Sequence, residues 1–182
     1  MVGEQFAVKI LAYDDNPDYG GHQIMACHGI AALSEHSAHE VIFMFNPRNK
    51  KLANLLAVIS NLQTLDAPCS SQKFQGLLNR ISKKSITSLA QKFQTVKADL
   101  VLCIQGEIEA SSQAMLAARR TDIECVSYLA IPHPMQLMGA KYGALRDRIN
   151  HYLFNQPDRY ITISQSMREL LIERGATHHT TA

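Results

Sequence analysis

The sequence has no C-x-x-C pair: its four cysteines, Cys27, Cys69, Cys103 and Cys125, stand far apart. That spacing argues against a disulfide framework or a cysteine metal site and for buried reduced thiols. The eight histidines show no metal spacing either, since no carboxylate or thiol is placed to complete a set with His36 and His39. No metal is expected. The amino terminus, Met1-Val2-Gly3-Glu4-Gln5, carries acid instead of base, and the apolar run behind it is seven residues long with Lys9 inside it. Such a run is too short for a signal-peptide core or a bilayer span, so a cytoplasmic chain is expected. Neither G-x-G-x-x-G nor a P-loop occurs, which removes the dinucleotide and nucleoside-triphosphate fingerprints. Repeats, linkers and low-complexity tracts are missing too. Acid is scarce from Arg48 to Lys97, where nine basic residues face one acid, Asp66; nine less one gives this segment +8 of a formal net +2 and leaves −6 elsewhere.

What is present is enough for one domain over residues 1–182, at 46% hydrophobic and 19% charged. Residues 6–12 form a short apolar run without alternation, which suits a parallel strand covered on both faces. The polar loop 13–21 follows, and Ile24, Cys27, His28 and Ala31, with Ala32 beside them, give the spacing of a helix on that sheet, ending near Ser37. A second strand over 40–46 is stopped at Asn46-Pro47. Leu52, Leu55, Leu56 and Ile59 fit a further helix. After the break at 67–71, Phe74, Leu77, Leu78 and Ile81, then Ile86, Leu89, Phe93 and Val96, mark two basic amphipathic helices. Strands are expected at 99–105, 124–130 and 160–163. Helices fit about 108–120, about 145–154 and 167–174, the last capped by Ser164-Gln165-Ser166 and stopped at Gly175. This alternation predicts an α/β class, an open doubly wound parallel sheet of Rossmann-like type.

In such sheets ligands bind beyond the carboxyl ends of the strands, so the informative residues lie in 14–22, at Gly106-Glu107, in 131–139 and in 164–166. Gly20-Gly21-His22 opens the first helix. The two glycines either allow a tight turn or leave backbone amides free for a phosphate or hydroxyl. His133, held between Pro132 and Pro134, is placed to donate to a sugar hydroxyl or phosphate or to move a proton, unless it is a plain surface histidine. Glu107, Asp14 and Asp15 are carboxylates at the same edge, either functional or merely solvated. The basic helices have three readings. Solvated faces are the default, and a nucleic-acid surface is disfavoured because Phe74 and Phe93 sit on the apolar faces, not among the lysines. The third is contact with an anionic membrane surface or acceptor through Lys73, Arg80, Lys83, Lys84 and Lys92.

Taken together, the landmarks resemble the amino-terminal half of group 1 (family 4) retaining glycosyltransferases of the GT-B fold. Gly20-Gly21 after the first strand resembles the family's glycine loop. Leu33 through His39-Glu40-Val41 resembles its "L…GHEV" turn, with Ala38 where glycine is usual. Asp99-Leu100-Val101 resembles the "pDvv" strand, and Asp158, Ser164 and Gly175 fit "aD.vi..S…l…G". The resemblance implies an acceptor-side domain in which Gly20 and Gly21 approach donor phosphate or acceptor and His133 contacts the transferred sugar as the catalytic candidate; His22, Glu107 and Ser164 are further substrate- or phosphate-binding candidates from their place at the same edge. It implies a nucleotide-sugar as co-substrate with no further cofactor, a sugar or lipid acceptor, and basic helices facing a membrane when the acceptor is a lipid. The family's E-x7-E donor motif belongs to a carboxy-terminal domain that this sequence lacks, so the chain by itself is expected to be inactive. Two alternatives stay open: a non-catalytic Rossmann- or flavodoxin-like binding module, and another GT-B enzyme such as a sugar-nucleotide epimerase.

Overall fold

A computed structural model describes residues 7–177 and 179–181. In chain order they form β1 (Lys9–Asp14), α1 (Gly21–His36), β2 (Glu40–Phe45), α2 (Lys50–Leu56), β3 (Gln63–Asp66), α3 (Gln75–Ile81) and α4 (Lys84–Val96). There follow β4 (Leu100–Gln105), α5 (Ser112–Thr121), β5 (Glu124–Leu129), α6 (Gly143–Asn150) with a 3-10 turn (His151–Asn155), β6 (Arg159–Ile161), α7 (Gln165–Glu173) and β7 (His179–Thr181). The strands make one parallel sheet in the order β3-β2-β1-β4-β5-β6-β7. The order reverses between β1 and β4, so the connections leaving those two neighbours run to opposite halves of the sheet. Among the described residues no helix is long and apolar enough to cross a membrane.

Both faces of the sheet are buried, which is why the central strands read as continuous apolar runs. Ala12, Val41, Phe43 and Phe45 pack with Cys27, Ile30 and Leu52 under α1 and α2. Their neighbours Leu11, Tyr13, Ile42 and Met44 point the other way, onto Leu89 and Phe93 of α4 and Ala114 of α5. Alternate residues of one strand thus serve two cores, as the pleat requires.

Three polar landmarks do their work at the opposite, amino edge. His39 Nδ1 accepts the Val8 amide (3.2 Å), Asp99 the Lys9 amide (2.8 Å) and Asp158 the Cys125 amide (2.8 Å). Each satisfies a backbone donor at or next to the start of the neighbouring strand. They fix the sheet's register and lie away from any ligand at the carboxyl edge.

Two helix faces differ from the expectation. α1 buries Gln23, Cys27, Ile30 and Ser34 and exposes Ile24 and His28, because the Gln23 amide is drawn inward to the Asp14 carboxylate (2.6 Å). α3 buries Gln75, Gly76 and Asn79 and turns Leu77 and Ile81 to solvent. Its polar side is tied inward: Gln75 donates to Asn79 (2.8 Å), Asn79 to Ser112 (2.9 Å), and the Gly76 carbonyl accepts from the Tyr152 hydroxyl (2.9 Å). Phe74 therefore sits half-exposed against Tyr142, not in the core. β3 and β7 carry no strong apolar run and were not anticipated. α5 starts at Ser112 instead of about 108, since 106–111 is a loop folded onto β1. The first strand starts later than expected, at Lys9; Phe6 lies outside the described residues.

Candidate functional site

β1 ends in Asp14 and β4 in Gln105, side by side at the point where the strand order reverses. α1 begins here, with Gly20 as its N-cap at φ −149°, ψ 170°. That is extended backbone open to any residue, so no turn geometry demands glycine. What Gly20 needs is room: a Cβ there would stand 3.1 Å from His22 Nδ1. Gly106 meets the same ring from β4, and a Cβ there would lie 2.9 Å from both Cε1 and Nδ1 of His22. A Cβ on Gly21 would meet nothing within 4 Å. The first turn of α1 is therefore open on its outer side, and it holds no acidic residue that would compete with an anion for its amides.

His22 is clamped between two glycines with 11% of its side chain exposed, and its Nε2 is buried with no hydrogen-bond partner. The nearest charge is Asp14 Oδ2, 4.0 Å away. That separation suggests an ion pair, yet burial acts on both partners in the opposite sense. It lowers the imidazole's pKa and raises the Asp14 carboxyl to about 7, against the Asn16 amide and Gln23 contacts that favour the carboxylate. We therefore describe a neutral imidazole beside a carboxyl that titrates near neutrality.

Asp15 has a different task. It is fully buried and accepts from the Ser71 hydroxyl (2.5 Å), the Ser111 amide (3.2 Å) and the Tyr13 hydroxyl (3.3 Å), while the Tyr13 hydroxyl also meets Cys69 Sγ at 3.1 Å. One carboxylate thus gathers the loops after β1, β3 and β4 into a single floor. Asn46 and Asn49 extend it by donating to the Asp15, Asn16 and Asp18 carbonyls.

Glu107, on the loop after β4, accepts the Glu109 amide (2.8 Å), and burial raises its carboxyl to about 7. Behind it Glu109, 1% exposed, receives Arg146 Nε (3.2 Å), Arg146 Nη2 (2.5 Å) and the Asn150 amide (2.6 Å). This buried pair locks α6 to the β4 loop. The sequence offered no local sign of it, because its members are 37 to 41 residues apart.

The structure brings Gly20, Gly21, His22 and Gly106 together and sets Glu107 on the adjoining loop. His133 is exposed on the loop after β5, one strand over, and Ser164 lies after β6, where its hydroxyl caps α7 by accepting the Met167 amide (3.3 Å). Among the described residues no group of three or more metal-ligating side chains converges. A concavity of about 990 Å³ lies at the amino edge, lined by Asp122, Glu124, Asp158 and Arg159 among others. Two of its acids are engaged, Asp158 in strand capping and Glu124 in an ion pair with Arg159 (3.1 Å), and we place the site by topology and by the orphan imidazole instead.

The Asp14 carboxyl predicts a pH effect on stability. Its folded value lies above the unfolded one, so the folded state binds the extra proton and loses stability as pH rises from about 4 toward about 7. His22 acts oppositely: its lowered value removes stability as pH falls through about 6.5. Asp14→Asn is therefore expected to gain on the parent by up to roughly 3 kcal/mol between about pH 5 and about pH 8 in urea unfolding. A difference that stays constant with pH would contradict the assignment.

No protein-family profile and no curated protein matches the chain. Solved structures do. The Anabaena protein HepE in complex with UDP and glucose superposes with a TM-score of 0.67 at 14% identity, covering 96% of this chain and 43% of that one. The UDP-GlcNAc 2-epimerase of Neisseria meningitidis bound to UDP-GlcNAc gives 0.63 at 17%, covering 91% and 43%. The lipopolysaccharide outer core galactosyltransferase WaaB gives 0.59 at 16%, covering 96% and 44%. At these identities the likeness is one of fold: the Rossmann-like α/β domain of an amino-terminal GT-B half. This chain spans less than half the length of each of them.

Proposed function

We propose that this chain is the acceptor-side domain of an enzyme that transfers a sugar from a UDP-sugar to an acceptor. The observation that carries the reading is the buried, unpartnered His22 Nε2 at the switch point, beside a helix N-terminus left open at Gly21. A buried polar atom without a partner costs free energy, and a ligand oxygen would supply the missing bond. The amides of α1 would stabilise charge developing on a departing diphosphate. Gly20 and Gly106 keep the ring in place, Glu107 offers a carboxyl titrating near neutrality, and His133 reaches the transferred sugar from the neighbouring loop. Ser164 contributes at the same edge by capping α7 with its hydroxyl. The donor-binding domain lies outside these residues, and the anomeric configuration is retained.

The fold neighbours include enzymes whose names are those of UDP-sugar epimerases as well as a glycosyltransferase, which favours one competing reading: epimerisation of the sugar nucleotide. Incubating the protein, joined to its donor-binding domain, with a panel of UDP-sugars separates them. Transfer releases UDP and yields a glycoside, whereas epimerisation yields a new UDP-sugar with no release. If no UDP-sugar is bound or turned over, both readings fail and a non-catalytic module is left.

A further inference from the structure

Away from the switch point, on the outer helical layer, four cations converge. Arg80 of α3, Lys83 just before α4, and Arg119 and Arg120 of α5 line a groove of about 650 Å³. All four are exposed, and among the described residues none has a carboxylate within ion-pair distance. The wall behind them is apolar, with Ile86 buried and Leu116 half-buried. A concave surface of one charge sign against a low-dielectric wall focuses potential on whatever enters it. A helix C-terminus attracts cations, and that alone would account for two arginines in the last turn of α5. Their bonds argue for more. Arg119 donates to the Asn155 carbonyl (3.1 Å) and Arg120 to the Thr87 hydroxyl (3.0 Å), so both reach out of their own helix, toward the 3-10 turn and α4. Arg80 comes from the other side, stacked on Tyr152 (4.2 Å) and donating to the Ile149 carbonyl (3.4 Å). The three guanidinium groups are thus oriented by neutral partners and keep their charge for a ligand.

The second observation is where the groove leads. Arg119 and Tyr152 also line the amino-edge concavity, so the two hollows meet there. On the far side the charge changes sign: Asp122 is exposed with no ion pair among the described residues, and the Gln156 amide stands beside it. A single phosphate carries about two negative charges and would leave half of the four cations unbalanced. A chain of phosphates balances them all, and guanidinium forks match its oxygens without a P-loop. We propose that the groove binds a soluble organic polyphosphate, its phosphate chain among Arg80, Lys83, Arg119 and Arg120 and its hydroxylated body past Tyr152, where Asp122 and Gln156 accept from its hydroxyl groups.

Isothermal titration calorimetry of the full chain at constant ionic strength tests this, with inorganic tripolyphosphate and a nucleoside triphosphate as probes. Both are expected to bind, the nucleoside triphosphate about 10-fold tighter because its body adds contacts beyond Tyr152. Arg119→Gln/Arg120→Gln should weaken tripolyphosphate binding about 25-fold, roughly 5-fold per cation, with the circular dichroism spectrum unchanged because both side chains are exposed. Arg119→Lys/Arg120→Lys keeps the charge, loses the forks and should still cost about 5-fold. Lys92→Gln/Lys97→Gln removes two exposed cations outside the groove and should change the affinity by less than about 2-fold. No tripolyphosphate binding, full affinity in the glutamine variant, an equal loss in the Lys92 and Lys97 variant, or equal affinity for the two probes would overturn the proposal. So would binding to phosphatidylglycerol vesicles or single-stranded nucleic acid by a chain that ignores tripolyphosphate. If Gly21→Ala weakens the probe and Arg119→Gln/Arg120→Gln does not, the polyphosphate sits at the switch point; that result overturns the groove and leaves the UDP-sugar reading standing.

Discussion

Replacing Arg146 with Met is expected to lower the stability of the fold by about 3–5 kcal/mol, the usual cost of stripping one partner from a buried ion pair. Glu109 would keep the Asn150 amide but lose both guanidinium bonds while remaining 1% exposed, and its charge would have no counterion in contact. The double change Glu109→Leu/Arg146→Met removes the charge as well and should recover most of the loss, because an apolar pair of similar volume is often neutral. Urea unfolding of the parent, both single variants and the double variant closes the cycle. Equal destabilisation in the single Arg146 variant and the double variant would mean that the cost is lost packing, including the Arg146 contact over the Phe74 ring (5.6 Å), and not an unpaired charge.

The second large effect is expected at Gly106. Valine there would drive its side chain into the His22 ring, already 2.9 Å from the position of a Cβ, and the ring cannot retreat past Gly20 without a similar collision. On the reading proposed above, UDP release by the chain joined to a donor-binding domain is expected to fall about 100-fold, the scale set by displacing a positioning group by roughly an ångström. Gly21→Ala is the informative companion. Its Cβ meets nothing in this chain, so folding should be unharmed or slightly improved, whereas binding should weaken if the open space belongs to the ligand. Unchanged UDP-sugar affinity in Gly21→Ala, together with unchanged turnover in Gly106→Val, would remove the switch point from the site. Adding His22→Ala to Gly106→Val should restore stability without restoring turnover, which separates crowding from function.

The strand-and-helix order was legible because each central strand is apolar on both faces and each turn is marked by glycine, proline or a polar cluster. β2, β4 and β5 fall within one residue of their expected limits, while β1 is displaced by two to three residues toward the carboxyl side. The carboxyl edge was legible for the same reason, since chain direction alone puts Asp14, Gly20 to His22, Gly106, Glu107, His133 and Ser164 there. The landmarks His39, Asp99 and Asp158 were readable too, although their hydrogen bonds show that they mark the fold and not the chemistry.

The phases of α1 and α3 were not legible. A periodic stripe gives a helix one apolar side, but which side turns inward depends on what polar partners wait there. For α1 the partner is the Asp14 carboxylate, and for α3 it is Ser112 together with the Tyr152 hydroxyl. These bonds join residues 9, 33 and 76 positions apart, and the longer two cannot be read from local spacing. The same limit hid the Glu109–Arg146 pair.

By itself, then, the sequence determined the parallel α/β alternation and the edge at which a ligand would meet it, because burial on both faces of a sheet leaves a local apolar signature. Only the tertiary structure decided that His22 is the unpartnered group at the reversal point, that Gly20 and Gly106 are glycines to make room for it, and that α3 shows its apolar side to the outside. Those outcomes depend on close approach and on hydrogen bonds between distant residues, which exist only once the chain has folded.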